Sequence, residues 1–258
     1  MIRLRVASDL HLDSYRPIEV TELVSRIFDG SDYDVAVIAG DVANFAALGE
    51  MLPKLLAGIR KGVPVVYVLG NHEHYGAASE GAVHAIVSAA ARDHGNLHLL
   101  AGAALTLFGV RFLGTTLWYE NGPLIQSIIS ERGWPDFHHV PYIASNLDSW
   151  NGRERALVEQ RLVETDIVIS HMLPHPACIA PPYEGNPTNA FFVNDQSACL
   201  QKAGERAPRL WIFGHTHEWV DKHVENTRLF ARPIGYRKEH ALRNSGADLA
   251  KACTVSFV

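Results

Sequence analysis

Runs of apolar, often β-branched residues recur along the chain, and five of them stop abruptly at Gly, Asp, Asn or His. Residues 4–7, 35–39, 63–69, 166–170 and 210–213 are mostly continuous rather than alternating in their apolar character. That pattern predicts strands buried on both faces, as in sheets covered by helices. Between them, residues 21–28, 46–60, 77–93, 154–164 and 196–203 carry apolar positions near the helical period, which predicts helices. The alternation in the first half predicts an α/β fold whose functional groups gather at the C-terminal strand ends. Residues 105–108 and 110–114 flank Gly109 as a hairpin would, so part of the sheet is expected to be antiparallel. The tail adds strands at 228–231 and 254–257.

Two segments break the pattern. Residues 129–149 hold Trp134, Pro135, Phe137, His138, His139 and Pro141, and residues 174–194 hold Pro174, Pro176, Pro181, Pro182 and Pro187. Both read as long loops or caps, and loops of that length in a compact domain are often functional. No linker, repeat or low-complexity tract divides residues 1–258, so a single domain is expected.

Composition narrows the classes. With 47% hydrophobic and 20% charged residues the chain reads as an ordinary globular protein. A net charge of −5 argues against a dedicated surface for polymeric nucleic acid or an anionic membrane. A small anionic substrate stays open, because bound cations would invert the local field. Cys178, Cys199 and Cys253 are widely spaced and form no C-x-x-C pair, so idle thiols in a reducing compartment are expected. The first apolar run carries Arg3 and Arg5, and no stretch reaches the length of a membrane span; a cytoplasmic protein is the expectation. Fourteen histidines are the compositional outlier, and their positions matter more than their number.

Five polar motifs follow the five apolar runs: Asp9-Leu10-His11, Gly40-Asp41, Gly70-Asn71-His72-Glu73, His171, and Gly214-His215-Thr216-His217. Singly they are weak. A D-x-H is common in solvated loops, Asp41 could cap the helix that follows, and a lone His171 is ordinarily structural. Jointly they bring carboxylate, imidazole and amide oxygen to one edge of a sheet, the donor set of a site for two hard-to-borderline cations. Asp41 can bridge two ions through its two oxygens, Asn71 offers an amide oxygen, and the adjacent His72 is free for proton transfer. Glu73 is read as a support for its turn or a cap.

The set resembles the calcineurin-like metallophosphoesterase superfamily, whose pattern is D-x-H, G-D, G-N-H-[DE], H and G-H-x-H, across Asp9 to His217. The resemblance implies a four-layer α/β/β/α sandwich with two mixed β-sheets flanked by helices. It implies Asp9, His11 and His217 on one divalent ion, Asn71, His171 and His215 on a second, and Asp41 bridging. His72 would then assist the leaving group while a water shared by the two ions is delivered in line to phosphorus. Mixed N/O ligation suits Mn²⁺, Fe or Zn²⁺ better than Mg²⁺ alone.

One departure is informative. The protein Ser/Thr phosphatase branch reads G-D-x-x-D-R-G, where this chain has Gly40-Asp41-Val42-Ala43-Asn44-Phe45-Ala46. The Asn44 carbonyl can orient an imidazole, whereas Phe45 cannot grip phosphate, so a protein phosphatase is disfavoured. Thr116-Leu117-Trp118, Ala190 to Asp195, Leu210 to His215 and Pro233-Ile234-Gly235-Tyr236 are similar to a group of small bacterial metallophosphoesterases. Asn44, His138, Asn194 and Arg232 are carried as candidate substrate contacts, with Arg232 more simply a surface ion pair. His74, Tyr75, His139, His175 and Tyr183 are further rim candidates for which a local hydrogen bond or solvent-facing position is the simpler expectation. The expected activity is hydrolysis of a small phosphomonoester or phosphodiester. The alternatives are a non-catalytic metal-binding scaffold of the same fold, and a cyclic-nucleotide phosphodiesterase or nuclease.

Overall fold

The computed structural model describes residues 1–30, 32–243 and 246–258. In the first half, β1 (Ile2–Ala7), α1 (Pro17–Phe28), β2 (Val35–Ala39), α2 (Phe45–Ala57), β3 (Val65–Val68), α3 (Glu80–His94) and β4 (Leu97–Leu99) alternate. A hairpin, β5 (Ala103–Leu107) and β6 (Val110–Gly114), opens the second half. Then come α4 (Pro123–Arg132), α5 (Pro135–His139), α6 (Ile143–Arg161), β7 (Ile167–Ile169), α7 (Ser197–Ala203), β8 (Leu210–Phe213), β9 (Val220–Val224) and β10 (Thr227–Ala231). Two short helices, α8 (Arg237–Arg243) and α9 (Leu249–Ala252), lead to β11 (Thr254–Phe257).

The strands form two mixed sheets, in the orders β11-β1-β2-β3-β4 and β5-β6-β7-β8-β10-β9. Leu4, Val6, Val37, Val66 and Val68 of the first sheet pack against Phe112, Ile167, Ile169, Ile212 and Phe230 of the second. The opposite face of the first sheet buries Leu23, Ile27, Leu52, Leu55, Val83 and Val87 from α1, α2 and α3. The opposite face of the second buries Ile125, Leu147, Trp150, Val158 and Leu200 from α4, α6 and α7. The result is helices, sheet, sheet, helices. Each fully buried Val, Leu or Ile contributes about 1.5–3 kcal/mol, and continuous apolar strands are what such a two-faced burial requires.

Within this frame β1, β2 and β3 run parallel, as do β6, β7, β8 and β10. Their C-terminal ends therefore present successive loops at one edge of each sheet. The hairpin and tail strands stand where the apolar pattern predicts them. Among the described residues no helix is long and apolar enough to cross a membrane, and all three cysteines are free thiols.

Three differences have physical causes. Residues 129–149 are mostly helical, covering the end of α4, all of α5 and the start of α6. Of the prolines read there as loop markers, Pro135 is a helix starter in the first turn of α5, as Pro123 is in α4, where the missing N–H is no loss. Pro17 plays the same role in α1, which begins four residues before the expected start. The edge strand β9 is hidden in the sequence by its charges, Asp221 and Lys222, which blunt an exposed sheet edge against further pairing. Residues 174–194 remain a long connection, punctuated by three short 3-10 turns.

Candidate metal centre

The five motifs meet where the two sheet edges face each other. Their chain reversals are steep: Asp9, His11, Asp41, His215 and His217 all have φ between 40° and 63°, in the left-handed region that non-glycine residues seldom occupy. Such residues cost about 1 kcal/mol or more each and persist only where the surroundings hold them. Here the surroundings are backbone hydrogen bonds between the turns. Asp9 N–H donates to Gly40 O at 3.0 Å, His11 N–H to Asp41 O at 3.0 Å, and Gly214 N–H to His171 O at 3.0 Å. Gly40 and Gly70 are fixed by close approach: a Cβ on Gly40 would collide with the His171 ring, and one on Gly70 with the Asp41 carboxylate.

Glu73 is the hidden brace. Buried under the site, it accepts from Asp41 N (3.1 Å), Val42 N (2.6 Å), Gly70 N (2.7 Å) and the Tyr67 hydroxyl (2.6 Å). It thus supports the turns after β2 and β3 at once. Burial, and then the neighbouring Asp41 charge, push its carboxyl up to about 7 against those donors.

Three groups of side chains bring ligand atoms within 4.8 Å of one another: Asp9, His11 and His217; His11, Asp41 and His72; and Asp41, His171 and His215. His11 Nε2 and His217 Nε2 face each other at 3.1 Å, and Asp9 Oδ1 lies 3.5 Å from His217 Nε2. Asp41 Oδ2 is 3.7 Å from His11 Nε2 and 3.3 Å from His171 Nε2, so this one carboxylate faces both clusters. His215 Nε2 is buried without a hydrogen-bond partner, an arrangement that costs free energy unless a further group satisfies it. The donor set fits cations with mixed N/O preference.

Two of the convergent rings are oriented from behind. His171 Nδ1 donates to Ala39 O at 2.8 Å, which leaves Nε2 turned to Asp41. His217 Nδ1 pairs with Glu239 at 2.7 Å. Outer partners of this kind set the tautomer and direction of metal-binding imidazoles. Burial disfavours the charged form of His171, yet Asp41 outweighs it and raises the ring to about 10. Asp41 itself, despite full burial, is held well below the usual carboxylate range by His171 and His72. Asp41 thus favours positive charge beside it, for which ions and protons would compete, whereas burial pushes His11 and His215 toward the neutral form.

His72 stands at the cavity side of the clusters. Its backbone N–H donates to Asp41 Oδ1 at 2.9 Å, and Asn44 Oδ1 lies 3.0 Å from its Nδ1. The Tyr236 hydroxyl lies 3.2 Å from its Nε2, and the Tyr236 ring stacks on His11 at 4.0 Å. Tyr75 stacks on the His72 ring at 4.2 Å.

Asn71 is set by a residue the motifs do not contain. Its Nδ2 donates to Asp136 Oδ1 at 2.8 Å, which turns Oδ1 toward His171 Nε2 at 3.1 Å. Asp136 is buried on α5 and also accepts from the hydroxyls of Tyr75 (2.6 Å) and Tyr119 (2.8 Å). Because Asp136 offers oxygens and no N–H, the Asn71 amide has one sensible orientation. Asp136 and Glu239, like Tyr236 after β10, are site residues that sequence reasoning misses. Their only signal is the Pro233-Ile234-Gly235-Tyr236 motif beside Glu239.

The candidate substrate contacts separate. Asn44 lines the cavity with its Oδ1 committed to His72. His139 and Tyr183 also line it, whereas His138 is exposed outside it and packs its ring against Gly133. Asn194 and Arg232 are not brought to the cavity. Asn194 is buried, donating to Trp118 O at 2.6 Å and accepting from Arg155 and Gln196. Arg232 donates to Ala252 O, Val220 O and Ala231 O, pairs with Asp221, and lies over Phe230. Both tie segments together, because their polar ends are used up by main-chain carbonyls and neighbouring side chains. His74 is buried and bonded to Tyr142, and His175 accepts from Ala177 N.

Comparison with known proteins gives a family match and, separately, a shared fold. The calcineurin-like phosphoesterase family model matches residues 2–219. The phosphopantetheinyl hydrolase (PptH) of Mycobacterium tuberculosis has a similar fold, with a TM-score of 0.69 at 15% identity over 95% of this chain and 93% of that one. TT1561 of Thermus thermophilus is similar at a TM-score of 0.54 and 13% identity, over 89% and 88%. No curated protein matches. With the fold, the clustered ligand atoms and the family match in agreement, the chain belongs to the calcineurin-like phosphoesterase family, a family of metal-dependent phosphoester hydrolases.

Proposed function

We propose that this chain hydrolyses a small phosphomonoester or phosphodiester with two divalent ions, held by Asp9, His11 and His217 on one side and Asn71, His171 and His215 on the other. Asp41 bridges them. The observation that carries this reading is the position of Asp41, whose Oδ2 lies within 3.7 Å of ring nitrogens from both clusters. When bound, the ions supply Lewis-acid polarisation of the phosphoryl oxygens and an acidified water.

The protein's own groups do the rest. His72 moves a proton to the departing oxygen, a role worth about 10²–10⁴-fold where the leaving alcohol is a weak acid. Asn44 holds the ring by Nδ1, Tyr75 stacks on its face, and the Tyr236 hydroxyl meets Nε2 at the cavity wall. The Tyr75 phenol is pushed well above its ordinary range by burial and by Asp136, so it stays a donor and keeps Asp136 and Asn71 in place. With Phe45 at the position where an arginine would grip phosphate, charge on the phosphoryl oxygens falls to the ions rather than to a side-chain guanidinium.

The test is metal analysis of the purified protein beside parallel assays on a nitrophenyl phosphomonoester and a bis-nitrophenyl phosphodiester. Two ions per chain and turnover of at least one ester are expected, and the ratio of rates assigns the ester class. Tight metal binding with no hydrolysis of either ester would replace this reading with that of a scaffold.

A further inference from the structure

The cavity in front of His72 is far larger than a phosphoryl group needs. It encloses about 1090 Å³, the size of pockets that take drug-sized organic ligands. One end is the Asp41, Asn71, His72 and His215 wall; from there the cavity runs outward between two segments. On one side stands the junction of α4 and α5, with Trp134 and Pro135. On the other runs the 174–194 connection, with Ile179, Tyr183 and Phe192.

That outer end carries a fixed aromatic surface beside the polar groups of Asn186, Thr188 and Asn189. Trp134 stacks on Phe191 at 4.0 Å with ring planes 12° apart, and meets Phe192 edge-on at 6.2 Å. Phe192 in turn lies 4.5 Å from the His215 ring, so aromatic surface begins directly beside the proposed ion site. Acidic residues along the cavity are already committed. Asp136 takes three donors, and Glu239 takes His217 Nδ1 and Tyr236 N. Arg132 at the rim is the one arginine or lysine among the described lining residues. Of the neutral polar groups there, Asn186 Oδ1 is taken by Thr188 and Asn189 Nδ2 by Tyr183 O, so much of a polyanion or a sugar-like polyol would be buried unpaired, which is costly.

Resting on the proposed hydrolysis at the two-ion site, we infer that the alcohol portion of the substrate is a neutral organic group with an aromatic or branched apolar body. It packs against Trp134, Ile179 and Phe192 while the phosphoryl group sits at His72. Rigid aromatic walls suit this occupant because they offer area without having to be ordered on binding.

The experiment compares partners whose reacting ends are alike. Ethyl phosphate and 3-phenylpropyl phosphate both leave as primary alcohols, so a difference between them reports the body of the group and not its acidity. The metal-loaded protein should favour the phenylpropyl ester in kcat/KM by about tenfold or more, carried mainly by KM, the effect of burying one aromatic body. The non-hydrolysable 3-phenylpropylphosphonate should bind more tightly than ethylphosphonate by a similar factor in calorimetry, with the methyl half-esters run alongside for a diester preference. Trp134→Ala and Ile179→Ala should each shrink the ratio. Equal binding of the two phosphonates, or ratios unmoved in both variants, would overturn the inference. Discriminating phosphonate binding with no turnover of either ester would instead leave the subsite standing and remove the hydrolytic reading.

Discussion

The turn after β2 and the short helix α5 each deliver one buried aspartate to the same asparagine's neighbourhood, and they do it in opposite ways. Asp41 sits two residues beyond its strand, in a left-handed turn whose φ of 59° is held by its own strand-end neighbours and by Glu73. Asp136 lies in a helix with no unusual backbone, and what defines it is three side chains from elsewhere: Asn71, Tyr75 and Tyr119. The first region spends conformational strain to point a group at the reacting centre. The second spends none, and positions a group that another residue needs. Variants that separate the two should therefore differ in what they lose first.

The largest effect is expected from Asp41→Asn. If the centre holds two ions as proposed, an amide in place of the shared carboxylate cannot offer both of them an anionic oxygen, and both should be lost together. Each ion contributes several kcal/mol of charge stabilisation, and turnover should fall by about 10³-fold or more. Elemental analysis decides it: unchanged content of both ions would remove the bridging role. His72→Ala should come next and should keep its ions. Turnover of alkyl phosphates should drop by about 10²–10³-fold, while nitrophenyl esters, whose leaving groups need little proton assistance, suffer less. Equal losses on both ester types would rule out proton delivery by His72.

The α5 side should give a smaller and different signature. Asp136→Ala leaves the Asn71 amide free to turn and strands two buried hydroxyls. Removing such an outer partner costs about 10–100-fold in metal affinity. Titrating metal into chelator-treated protein should show one site weakened and the other near wild type, with partial recovery in Asp136→Asn. Uniform weakening of both sites would mean that α5 is a general support for the fold and not a brace for Asn71.

This contrast also explains what could be read from the chain. Asp9, His11, Asp41, Asn71, His72, His171, His215 and His217 each follow a strand within a few residues, so their placement is a local property written in Gly, Asp and His after apolar runs. The double sheet is legible for the same reason, since continuous apolar strands need cover on both faces. Asp136, Glu239 and Tyr236 are not legible: Asp136 meets Asn71 across 65 residues and Tyr236 meets His72 across 164, and no periodicity encodes such meetings. Asn194 and Arg232 fail in the converse direction. Polar residues in conspicuous motifs, they are consumed by main-chain carbonyls that only the folded chain brings near. Pro135 misleads because a residue that cannot continue one helix is well suited to begin another.

The smallest expected effect on turnover comes from the other buried acid in the helical cover of the second sheet, Glu154 of α6, whose removal tests whether that cover also holds the site. Its carboxylate accepts from Trp118 N at 2.9 Å, close to where Asn151 and Asn194 bind Trp118 O. Burial pushes Glu154 up from 4.5 to about 7. A group whose folded pKa lies above its unfolded one adds stability that is complete below about pH 4.5 and fades as pH rises through 7, since only the unfolded chain ionises in that window. The span amounts to about 3 kcal/mol. Glu154→Gln keeps an acceptor for Trp118 N and cannot ionise, so denaturant melts should show wild type losing stability from pH 4.5 to 7.5 relative to the variant. Parallel stability curves would mean that the carboxyl ionises in the fold without penalty. A matching change in turnover at constant metal content would carry the comparison further, because it would make α6, like α5, a segment that holds the site rather than one that merely covers it.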